Sequence, residues 1–135
     1  MSSGPTPRDQ ADVAVMVVDD QAAFRRAARA VINATYGFAH VGAAASGPDA
    51  LRDADELRPD LVLMDVHMPD MDGLETTHRI TRSHPRCVVV LLSLENLEDL
   101  DGIGVTTCGA AAFLPKQDLA PATLRGLWAA HRPAR

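Results

Sequence analysis

Apolar positions along the chain fall into short continuous runs alternating with stretches of helical spacing. Val13 to Val18 (VAVMVV) is an unbroken, largely β-branched run that stops at Asp19 and Asp20, as expected of a strand buried on both faces. Gln21 to Thr35 then spaces Phe24, Ala28 and Val31 as one helical face, with Arg25, Arg26 and Arg29 pointing elsewhere and Gly37 expected as the C-terminal cap. Phe38 to Ala44 reads as a weaker second strand. Ser46, Gly47 and Pro48 open a second helix that turns Ala50, Leu51, Ala54 and Leu57 inward and ends before Pro59. Leu61 to Val66 is the third strand. After a loop containing Pro69, a third helix runs from Leu74 to Ser83 and is stopped by Pro85. Cys87 to Leu92 is the fourth strand. Leu94, Leu97, Leu100 and Ile103 have helical spacing, but Gly102 and Gly104 weaken that stretch, so a short or mobile fourth helix is expected. Ala111 to Leu114 forms a brief fifth strand. A last helix over Ala120 to His131, opened by Pro121, buries Leu124, Leu127 and Trp128.

Five strands alternating with helices define an α/β fold with a parallel sheet covered on both faces. Right-handed crossovers restrict its topology, and reactive groups in such sheets collect beyond the carboxyl ends of the strands. Composition narrows the classes further. The 135 residues are 47% apolar, which excludes general disorder, and one core is expected at this length. A formal net charge of -5 without a basic run argues against direct binding to a nucleic-acid backbone. Cys87 and Cys108 lack metal-ligand or scaffold spacing and read as free thiols of a reducing cytosol. The start of the chain does not resemble a secretory signal, and the longest strongly apolar run, Val88 to Leu92, is too short for a bilayer. A soluble cytoplasmic domain with no membrane contact is expected over residues 12–135, after a flexible lead-in at 1–11.

The strand ends carry Asp19 and Asp20, Asp65, Ser93 and Lys116, the last being the sole lysine among 13 basic residues. Singly, each has an ordinary reading as a cap or a surface charge. Asp65 stands out, because a carboxylate in a buried strand is costly unless paired, protonated or metal-bound. Three carboxylates within about 4 Å would repel by ~1 kcal/mol per pair in water and by more in a partly buried cleft, which invites a cation. All-oxygen ligands favour a hard ion such as Mg²⁺. A carboxylate can also attack phosphorus, and a transferring phosphoryl group then needs a metal, a hydroxyl and an ammonium around it.

These residues stand in four segments: VVDD at 17–20, LVLMDVHMPDMDG at 61–73, VVVLLS at 88–93 and CGAAAFLPK at 108–116. In that order and near that spacing, over residues 12–131, they resemble the receiver domains of bacterial two-component response regulators. The closest likeness is to receivers that often precede a helix-turn-helix DNA-binding domain. The resemblance implies a flavodoxin-like sheet of order 2-1-3-4-5. It implies Asp65 as phosphoacceptor, with Mg²⁺ held by Asp19, Asp20, Asp65 and the backbone carbonyl of His67. Ser93 becomes the hydroxyl that turns toward the phosphoryl group, Lys116 its counter-charge and Phe113 the aromatic switch residue. Pro69 and Gly73 shape the loop after the acceptor, Gly73 by permitting positive φ. His67 and Glu95 stand where water access, and so phosphate lifetime, is tuned.

The implied partners are a sensor histidine kinase or phosphotransfer protein, docking partly on the first helix, and an output partner reached by the fourth helix, fifth strand and last helix. A phosphorylation-dependent dimer is a further expectation. Such a chain assists its own phosphorylation and dephosphorylation and is not an enzyme acting on other substrates. A metal-dependent phosphatase is disfavoured because His67, not a second carboxylate, lies two residues beyond Asp65. His67, His78 and His84 occupy separate contexts and suggest no transition-metal site.

Four departures bear on output. Phe113 lacks the hydroxyl of the commoner tyrosine. Leu94 replaces a usually small residue and could crowd the phosphoryl site. Gln117 takes the place of a proline after Lys116, and Gly102 and Gly104 make the fourth helix atypical. Leu94 and the irregular fourth helix motivate an alternative, a receiver-fold interaction module that is not phosphorylated. With four residues after His131 there is no room for an output domain, so a stand-alone receiver or the regulatory fragment of a DNA-binding regulator is expected.

Overall fold

The computed structural model describes residues 12–68, 72–94 and 107–134. Five strands, β1 (Val13–Val18), β2 (Phe38–Ala44), β3 (Leu61–Asp65), β4 (Val88–Ser93) and β5 (Ala112–Pro115), form one parallel sheet of order β2-β1-β3-β4-β5. The described helices are α1 (Ala22–Asn33), α2 (Gly47–Leu57), α3 (Gly73–Ser83) and α4 (Pro121–His131). The α/β reading and its strand order therefore hold. Pro69, Glu95, Gly102 and Gly104, and the helix expected around the last three, lie outside the described residues.

Side-chain alternation along the central strands divides the interior into two cores. Met16, Val18, Val62, Met64, Val89 and Leu91 face one side, where Ala50 and Ala54 of α2 and Ile80 of α3 cover them. Val15, Val17, Leu61, Leu63, Val90 and Leu92 face the other, under Ala28 and Ile32 of α1 and Leu124 of α4. Both faces being buried explains why the strands read as unbroken apolar runs.

Several local expectations shift. On α1 the fully buried positions are Ala28, as expected, and Ile32, one residue beyond Val31. Gly37 does not cap that helix. The chain leaves it through Ala34, and the Thr35 hydroxyl donates to the Val31 carbonyl at 2.6 Å. Gly37 instead takes φ +85° in the turn into β2, where its carbonyl accepts from the Val13 amide at 2.8 Å. The start of α2 is as read, with Ser46 accepting from the Asp49 amide, and Arg58 ends it in a left-handed conformation at φ 48°. Leu57 is less inward than expected, 38% exposed, and its Cδ1 lies against Gly42. Ser93 belongs to β4 rather than following it, and Asp72 caps α3 one residue earlier than expected by accepting from the Glu75 amide at 2.8 Å. On α4 only Leu124 is fully buried, with Leu127 and Trp128 packed at the margin of its core. Cys87 and Cys108 are thiols buried in the same core; burial pushes the Cys87 thiol up to about 12, so it is an inert apolar group at neutral pH.

Candidate functional site

Strand register assembles the site. Val18 pairs with Met64, so the next positions, Asp19 and Asp65, end side by side on the two central strands. Asp65 in turn pairs with Leu92, and Ser93 with Pro115, which delivers Ser93 and Lys116 to the same edge. Asp20, Gln21, Asp65, His67, Ser93, Leu94 and Lys116 line an open cleft of about 310 Å³ there. Carboxylate oxygens of Asp19, Asp20 and Asp65 all lie within 4.8 Å of one another. Among the described residues, theirs is the only such grouping of potential metal ligands.

Asp19 is completely buried. Its Oδ1 accepts from the Gln21 amide at 2.8 Å, and its carbonyl accepts from Arg25 Nη1 at 2.8 Å. Its Oδ2 faces the Lys116 ammonium at 2.6 Å. Asp20 is exposed at the cleft mouth. Asp65 is 5% exposed; its Oδ1 accepts from the His67 amide at 3.2 Å and its Oδ2 lies 3.6 Å from Lys116 Nζ. Burial, and next the neighbouring Asp19 charge, push the Asp65 carboxyl up from 3.8 to about 6, against the opposing pull of Lys116 and the His67 amide. One ammonium thus serves a cluster of three carboxylates.

That donor set fits a hard divalent cation. The ligands are all oxygen, one of them is fully buried, and the nearby positive charge falls short of the negative. Burial is the larger cause of the raised Asp65 carboxyl, and the repulsion from Asp19 that adds to it is the kind a bound cation would relieve.

Gly73 matters for a reason other than the expected one. Its φ is not positive; it is the first residue of α3. A Cβ at that position would stand 2.0 Å from the Asp65 carbonyl oxygen, and its amide donates to the Val66 carbonyl at 2.8 Å. The start of α3 lies so close to the end of β3 that only a hydrogen fits. Leu94 lines the cleft but is 71% exposed, so most of its side chain stands in solvent at the rim. Phe113 pairs with Leu91 on β5 and packs against the core under α2 and α3, outside the cleft lining. His84 is engaged elsewhere, with its Nε2 2.8 Å from Asp55 Oδ1.

Sequence reasoning missed two neighbours. Arg25, read as pointing away from the apolar face of its helix, is half-buried and bonded to the Asp19 carbonyl. Phe24, read only as a core position, presents its ring to Lys116 with Nζ 4.7 Å from the centroid. The available signal was position: both fall in the first turn after the aspartate pair.

An open α/β sheet that gathers acidic groups, a hydroxyl and one ammonium at its carboxyl edge defines a phosphate-handling class of site. Residues 15–126 match the model of the response regulator receiver domain, and the chain belongs to that family. It is 39% identical over 104 residues to the response regulator GacA of Pseudomonas viridiflava, covering 77% of this chain and 48% of that protein. It is 36% identical over 105 residues to a protein-glutamate methylesterase/protein-glutamine glutaminase of Alkalilimnicola ehrlichii, covering 78% of this chain and 27% of that protein. The chain therefore spans a quarter to a half of the length of these relatives. The response regulator domain of Thermotoga maritima CheB superposes with a TM-score of 0.75 at 27% identity, over 88% of this chain and 96% of that one. A LuxR-family response regulator from Aurantimonas sp. gives 0.79 at 27% identity, over 90% and 88%.

Proposed function

We propose that Asp65 is the phosphoacceptor of this receiver domain, supplied by a sensor histidine kinase or phosphotransfer protein. The observation that carries this reading is the placement of a buried Asp65 between two aspartates and the chain's sole lysine. An Asp65 carboxylate oxygen attacks phosphorus as the bond from phosphorus to the donor's leaving atom breaks, giving an aspartyl phosphate. The His67 amide, donating to Oδ1, orients the nucleophile. Lys116, 3.6 Å from Oδ2, supplies positive charge where phosphoryl oxygens arrive, and Ser93 offers a hydroxyl from the next strand.

Mg²⁺ would be held by Asp19, Asp20, Asp65 and the His67 carbonyl, and it supplies charge neutralisation for donor and nucleophile. Receiver domains hold Mg²⁺ in such an acidic cluster and exchange signals with kinases and output partners. The particular kinase, the output surface around β5 and α4, and a cytoplasmic setting are our assignments for this chain. No described helix is long and apolar enough to cross a membrane. Phosphorylation adds roughly one unit of negative charge and new acceptor oxygens, which Ser93 and Lys116 can engage, and Phe113 on β5 would report the change to the surface.

The test is intact mass after incubation with acetyl phosphate. A single phosphoryl adduct should form with Mg²⁺ and be lost with a chelator or in Asp65→Asn. A folded chain that takes up no phosphate, or an unchanged adduct in Asp65→Asn, contradicts the reading.

A further inference from the structure

Lys116 ends a flexible four-carbon stem, yet the residue is only 9% exposed. Two of its neighbours are carboxylates, Asp19 Oδ2 at 2.6 Å and Asp65 Oδ2 at 3.6 Å. A third is the ring of Phe24, whose centroid lies 4.7 Å from Nζ. Aromatic faces carry partial negative charge and attract an ammonium within about 6 Å. Phe24 is the third residue of α1 and packs against the core that contains Val17, Leu63 and Leu92, so the ring is anchored to the helix and sheet. Asp19 is anchored to the same turn by the Gln21 amide and Arg25. The ammonium therefore sits among groups that cannot readily follow it if it moves.

We propose that Phe24 is a positioning residue for Lys116, its ring face holding the ammonium at the carboxylate edge where phosphoryl oxygens will meet it. This rests on the reading of Lys116 as the phosphoryl counter-charge. A leucine of comparable bulk would preserve the apolar contact with the core but offer no negative face, leaving the lysine stem free to swing toward water. Tyrosine keeps the face and should keep the function.

Because the chain has one lysine, lysine labelled with ¹³C at Cε gives a single side-chain signal from the site itself. In the native chain that signal should be displaced by the ring current of Phe24 and show a nuclear Overhauser contact to its ring protons. Phe24→Leu should return it toward the position of a free lysine. The same variant should slow phosphoryl uptake from acetyl phosphate by about 3- to 30-fold, the range that a cation–π contact of ordinary strength converts to. Phe24→Tyr should restore both. Absence of the ring contact in the native chain overturns the proposal without any variant. So does a Leu variant whose uptake matches the native rate, or a Tyr variant as slow as Leu. If the native chain takes up no phosphate although the ring contact is present, the phosphoacceptor reading fails while the lysine–ring geometry stands.

Discussion

Asp65 experiences opposite demands from folding and function. Burial and Asp19 raise its carboxyl to about 6, so the folded chain binds that proton more tightly than the unfolded chain does. The sign follows from linkage: the stability associated with this proton is fully present below pH ~4 and is lost as pH rises through about 6. At neutral pH the ionised Asp65 opposes folding. Asp65→Asn should therefore stabilise the metal-free protein by roughly 1–3 kcal/mol at pH 7 and much less at pH 4. Urea denaturation at the two pH values checks this, and equal effects at both would contradict it. Mg²⁺ should raise the native chain's stability more than that of Asp65→Asn. Lys116 presents the complementary case. Lys116→Ala should retain some phosphorylation but lose the coupled shifts of Ser93 and Phe113 in NMR spectra, whereas Lys116→Arg should not restore them, because a planar fork does not replace a point charge. An unchanged shift in Lys116→Ala would count against its role.

At the scale of elements, two glycines in helices make opposite predictions. Gly73 opens α3 against the Asp65 carbonyl, where an added Cβ would stand at 2.0 Å. Gly73→Ala should destabilise by about 1–3 kcal/mol, the usual cost of forcing atoms into a filled space, and should also displace the end of β3. Gly126 lies within α4 with nothing near an added Cβ, so Gly126→Ala should stabilise by about 1 kcal/mol through helix propensity alone. Thermal melts of both variants measure the contrast; a harmless Gly73→Ala would refute the packing argument. Strands and helix starts were legible because their signals are local: the doubly buried runs of β1, β3 and β4, and the Ser46 cap before Pro48. Helix ends were less legible, since the Thr35 hydroxyl bonds the Val31 carbonyl at the end of α1 and Gly37 belongs to the following turn. The reason for Gly73 was unreadable as well, because close approach of two backbones is a tertiary fact.

Across the whole molecule, the parallel sheet converts distant sequence positions into one site. Asp19, Asp65, Ser93 and Lys116 were legible because strand ends in an α/β sheet converge and because their motifs stand in a family order. Phe24 and Arg25 were not, since their helical spacing is satisfied by core packing or by solvent, and only the fold turns them toward Asp19 and Lys116. The fold also separates Phe113 from the cleft it is proposed to report on, so the proposed switch would act through β5 and its packing rather than by direct contact. The central claim is that the chemistry happens at one carboxylate. Borohydride reduction of the acetyl phosphate-treated protein, followed by peptide mass analysis, locates any acyl phosphate as the homoserine it becomes. The account predicts homoserine at position 65 alone, dependent on Mg²⁺; homoserine at position 19 or 20, or at no position in phosphorylated protein, would contradict it.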